Sequence, residues 1–130
     1  MRWVIRLVGI VVALFVAVLA ASTIASESGE VVVLHTPDPV TKTRIWVVDD
    51  AGQQWIRAGN PKSRWLLAIQ KNPAVTVERA GKSAEYTAVP DVESRERINA
   101  LFAAKYRWAD ALIAALFGRE DATPIRLVPR

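Results

Sequence analysis

Hydrophobic residues follow two regimes along this chain. From Leu7 to Ala21 they form one unbroken apolar run, which Ser22 to Ala25 prolong with small, weakly polar residues. Arg2 and Arg6 stand before the run, and the next charge is Glu27. A membrane-spanning helix takes about 20 apolar residues, with a range of about 17–25. The apolar core of a secretory signal is shorter, about 7–15 residues behind a basic start. The run fits a single-pass anchor over residues 3–25. With Thr23 and Ala25 as the small residues of a cleavage site it also fits a removed signal peptide, and a buried helix of a soluble protein is a third reading. Two arginines lie before the run and no Lys or Arg follows it until Lys42. By the positive-inside rule this bias keeps the N-terminus in the cytoplasm and puts residues 27–130 outside.

Beyond the run the pattern changes to short alternations separated by turn residues. "EVVVLHT" (30–36), "TRIWVVD" (43–49) and "QQWIRA" (53–58) read as strands, with "PDP" and "DDAG" between them. On the second strand Arg44, Trp46 and Val48 share one face while Ile45 and Val47 share the other, and on the third Trp55 and Arg57 share a face. Asn60 is a good helix N-cap and Pro61 a good first helical residue, so "PKSRWLLAIQK" is predicted as a short helix that Asn72-Pro73 ends. "AVTVERA" and "SAEYTAV" alternate around "AGK" as a second hairpin. Asp91 is placed to cap one long amphipathic helix over 92–117, with Ile98, Leu101, Phe102, Trp108, Leu112 and Leu116 as its stripe and Gly118 as its end. "TPIRLVP" (123–129) makes a last strand. The order β-β-β-α-β-β-α-β is not regular βαβ alternation and predicts an α+β domain on an antiparallel sheet or barrel. Two units result, an anchor or signal segment over 1–26 and one domain over 27–130.

Charge narrows the function classes. Setting aside Arg2 and Arg6, the 17 Lys and Arg of the chain leave 15 in the domain against 13 Asp and Glu. Those cations are scattered rather than gathered into a basic face, which argues against nucleic-acid binding. The absence of cysteine removes disulfides, thiolate metal sites and cysteine nucleophiles. His35 is the single histidine, with no acidic pair at ligand spacing, so no metal site is expected. The same histidine would have to serve any Ser–His–acid triad, and no nucleophile elbow, dinucleotide fingerprint or Walker loop occurs.

The stretch "RAGNPKSRW" (57–65) stands apart. It gathers Arg57, Lys62 and Arg64 around a helix start that is already electropositive. Free N–H groups, the Ser63 hydroxyl and flexible cations suit a phosphate or carboxylate. An ordinary solvated first turn would also tolerate them. Arg44, on a neighbouring strand, is in a position to reach the same end. Trp46, Trp55, Trp65, Tyr106 and Trp108 are many flat side chains for so small a domain. They suit a planar ring beside an anion site, and equally a core or an interfacial anchor.

"WIRAGNPKSRWLLAIQKNPAVTVERAGKSAEYTAVP" resembles the helix–strand unit of split β-barrel flavin and deazaflavin reductases, through Pro61, Trp65, Asn72, Pro73, Val75 and Val77. "KYRWAD" and "TPIRLVP" match the family's ending, so the resemblance spans about residues 31–129. It is nearest to the deazaflavin-dependent nitroreductase and quinone-reductase branch, and more distantly similar to pyridoxamine-phosphate-oxidase-like proteins. The resemblance implies a six-stranded antiparallel split β-barrel with two helices, following the N-terminal membrane helix. It implies a deazaflavin coenzyme or FMN, with its phosphates met by Arg44, Lys62, Ser63 and Arg64. Arg57, Ala58 and Gly59 would run beside the ring, Trp65 would pack behind the pocket, and Tyr106 and Trp108 would line the acceptor side. The activity implied is hydride transfer to a quinone-like or nitro-aromatic acceptor, at the bilayer that holds residues 3–25, in a chain for which a homodimer is open. An external domain would, however, be separated from a cytoplasmic deazaflavin reductant. Three departures favour an alternative, a non-catalytic module that binds a cofactor or lipophilic ligand at the membrane. "PDPVTKTR" replaces the family's Gly-rich basic turn, Leu66-Leu67-Ala68 lacks its helix Asn, and "RAGNPKS" shortens its phosphate loop.

Overall fold

A computed structural model describes residues 1–26, 29–118 and 121–130. The apolar run forms one helix, α1 (Arg2–Ser26). It is long and apolar enough to cross a membrane. The domain follows as β1 (Val31–Pro37), β2 (Val40–Trp46), β3 (Val48–Asp50), β4 (Gln53–Ala58), α2 (Arg64–Lys71), β5 (Ala74–Arg79), β6 (Lys82–Pro90), a 3₁₀ turn (Val92–Ser94), α3 (Arg95–Tyr106), α4 (Trp108–Phe117) and β7 (Thr123–Pro129).

All strand pairs are antiparallel, in the order β2-β1-β5-β6-β7-β4-β3. The two ends of that order are neighbours in sequence. β2 and β3 are halves of one strand interrupted at Val47, the first half pairing with β1 and the second with β4. The sheet therefore curls into a split half-barrel whose seam lies beside residues 44–47. This is the expected α+β architecture, with the second of the six strands broken in two and extended back to Val40. A two-residue Asp38-Pro39 turn, with a cis peptide bond, joins it to β1.

The interruption at Val47 has a clear partner. Its N–H donates to the Tyr106 hydroxyl at 3.0 Å, and its carbonyl accepts from Lys105 Nζ at 2.7 Å. The backbone groups that the ladder gives up are thus satisfied by α3, as buried backbone polar groups must be.

Strand alternation sorts the interior into two cores. Val32, Leu34, Val47, Ile56, Val75, Val77, Ile125 and Leu127 face the barrel interior, where α2 inserts Trp65, Leu66 and Ile69. Trp46, Val48 and Trp55 point the other way and pack with Ile98, Phe102, Tyr106 and Ala109 of α3 and α4. Fully burying side chains of this size is worth about 1.5–3 kcal/mol each.

Two helix predictions are corrected. The long helix over 92–117 is a 3₁₀ turn and two helices, broken at Arg107, whose φ of 49° lies outside the helical region. The break lets Tyr106 face the core while α4 turns to a new direction. The short helix begins at Arg64, with Ser63 rather than Asn60 at its N-cap position. Asn60 instead closes a turn, its Oδ1 accepting from Lys62 N–H at 2.9 Å and its carbonyl from Ser63 N–H at 3.0 Å. Gly118 ends α4 as predicted, its N–H donating to Ala114 O at 2.8 Å.

Candidate functional site

Strand parity decides what faces α3 and α4. Arg44 and Trp46 on β2, and Trp55 and Arg57 on β4, all project from the same side of the sheet, as the alternation predicts. Arg44, Ile45, Trp46, Arg57 and Gly59 line a half-open pocket of about 190 Å³, closed on the far side by Phe102 of α3 and Ile113 of α4. Its walls are thus aromatic and aliphatic, with two guanidinium groups among them. The next stretch of β2, Val40 to Thr43, lines a second pocket of about 290 Å³ together with Arg64 and Trp65. Lys42, Arg44 and Arg64 are exposed, so a cationic track follows β2 across both pockets.

Arg57 has a specific environment. Its Nη2 donates to Asp110 Oδ1 at 2.8 Å and its Nη1 to Asn99 Oδ1 at 2.9 Å, and its guanidinium carbon lies 4.3 Å from the centre of the Phe102 ring. Both partners of the ion pair are buried, with side-chain exposures of 9% for Arg57 and 1% for Asp110. Arg57 therefore acts as a rigid cationic wall of the pocket, its fork held by α3 and α4. Arg44 and Arg64, by contrast, are exposed to solvent.

The candidates that the sequence singled out are distributed unevenly. Arg44, Arg57 and Gly59 meet in the first pocket, and Arg64 and Trp65 in the second. Lys62 is exposed in the Asn60 turn and lines neither. Ser63 donates its hydroxyl to Asn60 O at 2.7 Å, and Ala58 points into the barrel core. Tyr106 is buried in the second core, stacked on Trp46 with ring centres 4.2 Å apart. Its hydroxyl donates to Glu30 O at 2.6 Å. Burial raises its pKa above the ordinary phenol value. Trp108 is 56% exposed on α4. Among the described residues, no group of three or more His, Asp or Glu is placed to hold a metal ion.

Sequence reasoning missed Asp110, Asn99, Phe102 and Ile113 as parts of this site. Asp110 did leave a signal, as the one charge inside the apolar stretch "WADALIAALF". A carboxylate there needs a buried partner, but which cation supplies it depends on the turn at Arg107.

The residues fit a planar, anionic ligand. Flat and aliphatic walls suit a ring system, and the exposed cations along β2 suit phosphate or carboxylate groups on its tail. The first pocket is smaller than the roughly 300–1,000 Å³ usual for whole ligands. It has room for a ring but not for a whole coenzyme.

No family model matches this sequence, and no curated protein matches it. Solved structures do. A candidate pyridoxamine 5'-phosphate oxidase from Listeria innocua is 19% identical, with a TM-score of 0.55 over 82% of this chain and 88% of its own. An F420-H2-dependent reductase is 20% identical, with a TM-score of 0.58 over 75% of this chain and 93% of its own. HutZ, the heme storage protein from Vibrio cholerae, is 15% identical, with a TM-score of 0.59 over 82% and 85%. At these identities the likeness is one of fold. The chain has the split half-barrel fold that pyridoxamine 5'-phosphate oxidase-like proteins and the F420-H2-dependent reductase share.

Proposed function

We propose that this chain is a membrane-anchored oxidoreductase that holds a flavin or deazaflavin coenzyme and reduces a quinone-like or nitro-aromatic acceptor. The observation that carries the reading is the pocket in which Arg44 and Arg57 meet the flat and aliphatic walls Ile45, Trp46, Phe102 and Ile113. The likeness in fold to an F420-H2-dependent reductase supports it. Hydride chemistry belongs to such a coenzyme itself; the chain contributes orientation, charge and exclusion of water. Trp46 and Phe102 would flank the ring. Arg57, fixed by Asp110 and Asn99, would hold positive charge beside it without moving. Lys42, Arg44 and Arg64 would bind the anionic tail, with Lys62 adding charge from the neighbouring turn.

The test is a tryptophan-fluorescence titration of the full chain in detergent micelles with FMN and, separately, with the deazaflavin coenzyme. Saturable quenching by one of them is expected, because Trp46 lines the pocket. Replacing Arg44 and Arg64 together by Ala should weaken that binding at least about tenfold, on the order of 1.4 kcal/mol. Unchanged affinity in the double variant would remove the phosphate track from the proposal.

A second reading is a non-catalytic module that binds a cofactor or a lipophilic ligand. The apolar share of the pocket and the small volume favour it, and a heme storage protein has the same fold. Turnover with menadione separates the two, since a carrier binds the coenzyme without passing electrons on.

A further inference from the structure

α4 has the wrong surface for a helix that faces water. Its ten residues are Trp-Ala-Asp-Ala-Leu-Ile-Ala-Ala-Leu-Phe, and the one charge among them, Asp110, is buried against Arg57. The outward stripe is Trp108, Ala111, Ala115 and Leu116, with Trp108 56% and Leu116 39% exposed. A helix at the surface of a soluble domain turns a polar face outward, whereas one that is apolar all round is covered by protein or lipid.

The neighbour of α4 identifies the cover. α1 packs beside α4. Residues 2–20 of α1 are exposed and Ala21 is half-buried, so the contact lies toward the C-terminal end of α1. That end is where a spanning helix leaves the hydrocarbon for the headgroups. A helix lying against it sits at the membrane boundary, where apolar faces bury to a depth of about 5–10 Å. Arg107, exposed and immediately before Trp108, completes an Arg-Trp pair of the kind that anchors at headgroup level.

We propose that α4 is an interfacial helix, whose Trp108–Ala111–Ala115–Leu116 face is embedded in the lipid bilayer beside the exit of α1. The domain then touches the membrane at two places, a span and a flat helix, which sets its orientation as well as its tether. Ile113, on the same helix, lines the Arg44–Arg57 pocket, so the wall of the candidate site adjoins the lipid. A lipid-soluble acceptor would approach it from the bilayer. This inference rests on reading α1 as a span.

The chain has no cysteine, so single labels can be placed cleanly. Ala111→Cys, Leu116→Cys, Leu14→Cys on α1 and Ser83→Cys on the β5–β6 hairpin are spin-labelled in the full chain. They are then reconstituted in phosphatidylcholine–phosphatidylglycerol vesicles. Collisions with dissolved oxygen, which concentrates in lipid, are compared with those of a water-soluble nickel chelate. Positions 111, 116 and 14 should favour oxygen several-fold, and position 83 should favour nickel. Nickel preference at 111 and 116 with oxygen preference at 14 would overturn the proposal and leave the anchor standing. Nickel preference at 14 would overturn the anchor and the proposal with it. Shielding of 111 and 116 from both reagents would assign the face to a protein partner or a second copy, and also overturn the proposal.

Discussion

Tyr106 joins three parts of the molecule through one oxygen. It donates to Glu30 O, a few residues after α1, at 2.6 Å, and it accepts from Val47 N–H, at the seam of the barrel, at 3.0 Å. Its ring stacks on Trp46, the pocket wall, and lies against Gly29, whose φ of 77° and lack of a Cβ permit the approach. Any Cβ at Gly29 would sit 3.1 Å from the ring. Tyr106→Phe keeps the ring and removes the hydroxyl, leaving Val47 N–H without its partner. The expected cost is about 1–3 kcal/mol in urea unfolding, the penalty of an unsatisfied buried donor. A loss below about 0.5 kcal/mol would mean that water replaces the hydroxyl. From the sequence, Tyr106 was one aromatic among several with an acceptor-side role implied by resemblance. Its structural bonds span 59 and 76 residues, and separations of that length leave no local trace in sequence.

At the scale of the element, turns were the most legible features. Ala51-Gly52 and Ala80-Gly81 both form two-residue hairpin turns with positive φ at both positions, 51° and 78° in the first and 52° and 79° in the second. Such turns match the twist of the strands, and they favour Asn or Gly at the first position. Alanine carries a Cβ that opposes that backbone, at a cost of about 1–2 kcal/mol. Ala51→Asn and Ala80→Asn should therefore each raise the thermal midpoint, by a few degrees for a domain of this size. An unchanged or lowered midpoint would show that the turns absorb the alanine without strain. Helix limits were less legible. Asn60 satisfies the rule for an N-cap, yet its side chain closes the turn just before the helix, which starts at Arg64. The apolar stripe of 92–117 continues across Arg107, so periodicity alone had no way to register the break there.

Across the whole molecule, one charge network ties the segment that follows α1 to the domain. Arg79 of β5 donates to Glu30 at 2.9 Å and to Asp49 of β3 at 2.8 Å, and Lys105 of α3 donates to Glu30 at 2.7 Å. Hydrogen bonds from Arg79, and for Glu30 also from Lys105, hold both carboxyl pKa values below their ordinary 4.5 and 3.8. The unfolded chain then takes up protons first as the pH drops. The contribution to stability is complete above the ordinary carboxylate range and is lost as pH falls through the lowered values. Tyr106 has the opposite sign, because burial raises its pKa above 10.0. Its contribution is complete below that value and is lost as pH rises past it. Unfolding free energy measured against pH should show a plateau with an acid and an alkaline limb. Glu30→Gln should flatten the acid limb and Tyr106→Phe the alkaline one; limbs unaltered in these variants would assign the titration to other groups.

The sequence by itself determined what depends on near neighbours. These features are the apolar run of α1, the strand alternation that sends Arg44, Trp46, Trp55 and Arg57 to one side, the two Ala-Gly turns and the α+β order. Each is a matter of φ/ψ preference or of period along the chain, and needs no knowledge of what lies opposite. Only the tertiary structure decided which distant groups meet. It inserted β7 between β6 and β4, split one strand at Val47 to close the half-barrel, and brought Asp110 and Asn99 to Arg57. The candidate site was half legible for the same reason. Its cations and tryptophans lie on strands whose parity can be read, whereas its other wall comes from helices whose direction is set by the turn at Arg107. Long-range pairing reflects the free energy of burying two cores at once, and no local stretch of the chain encodes that balance.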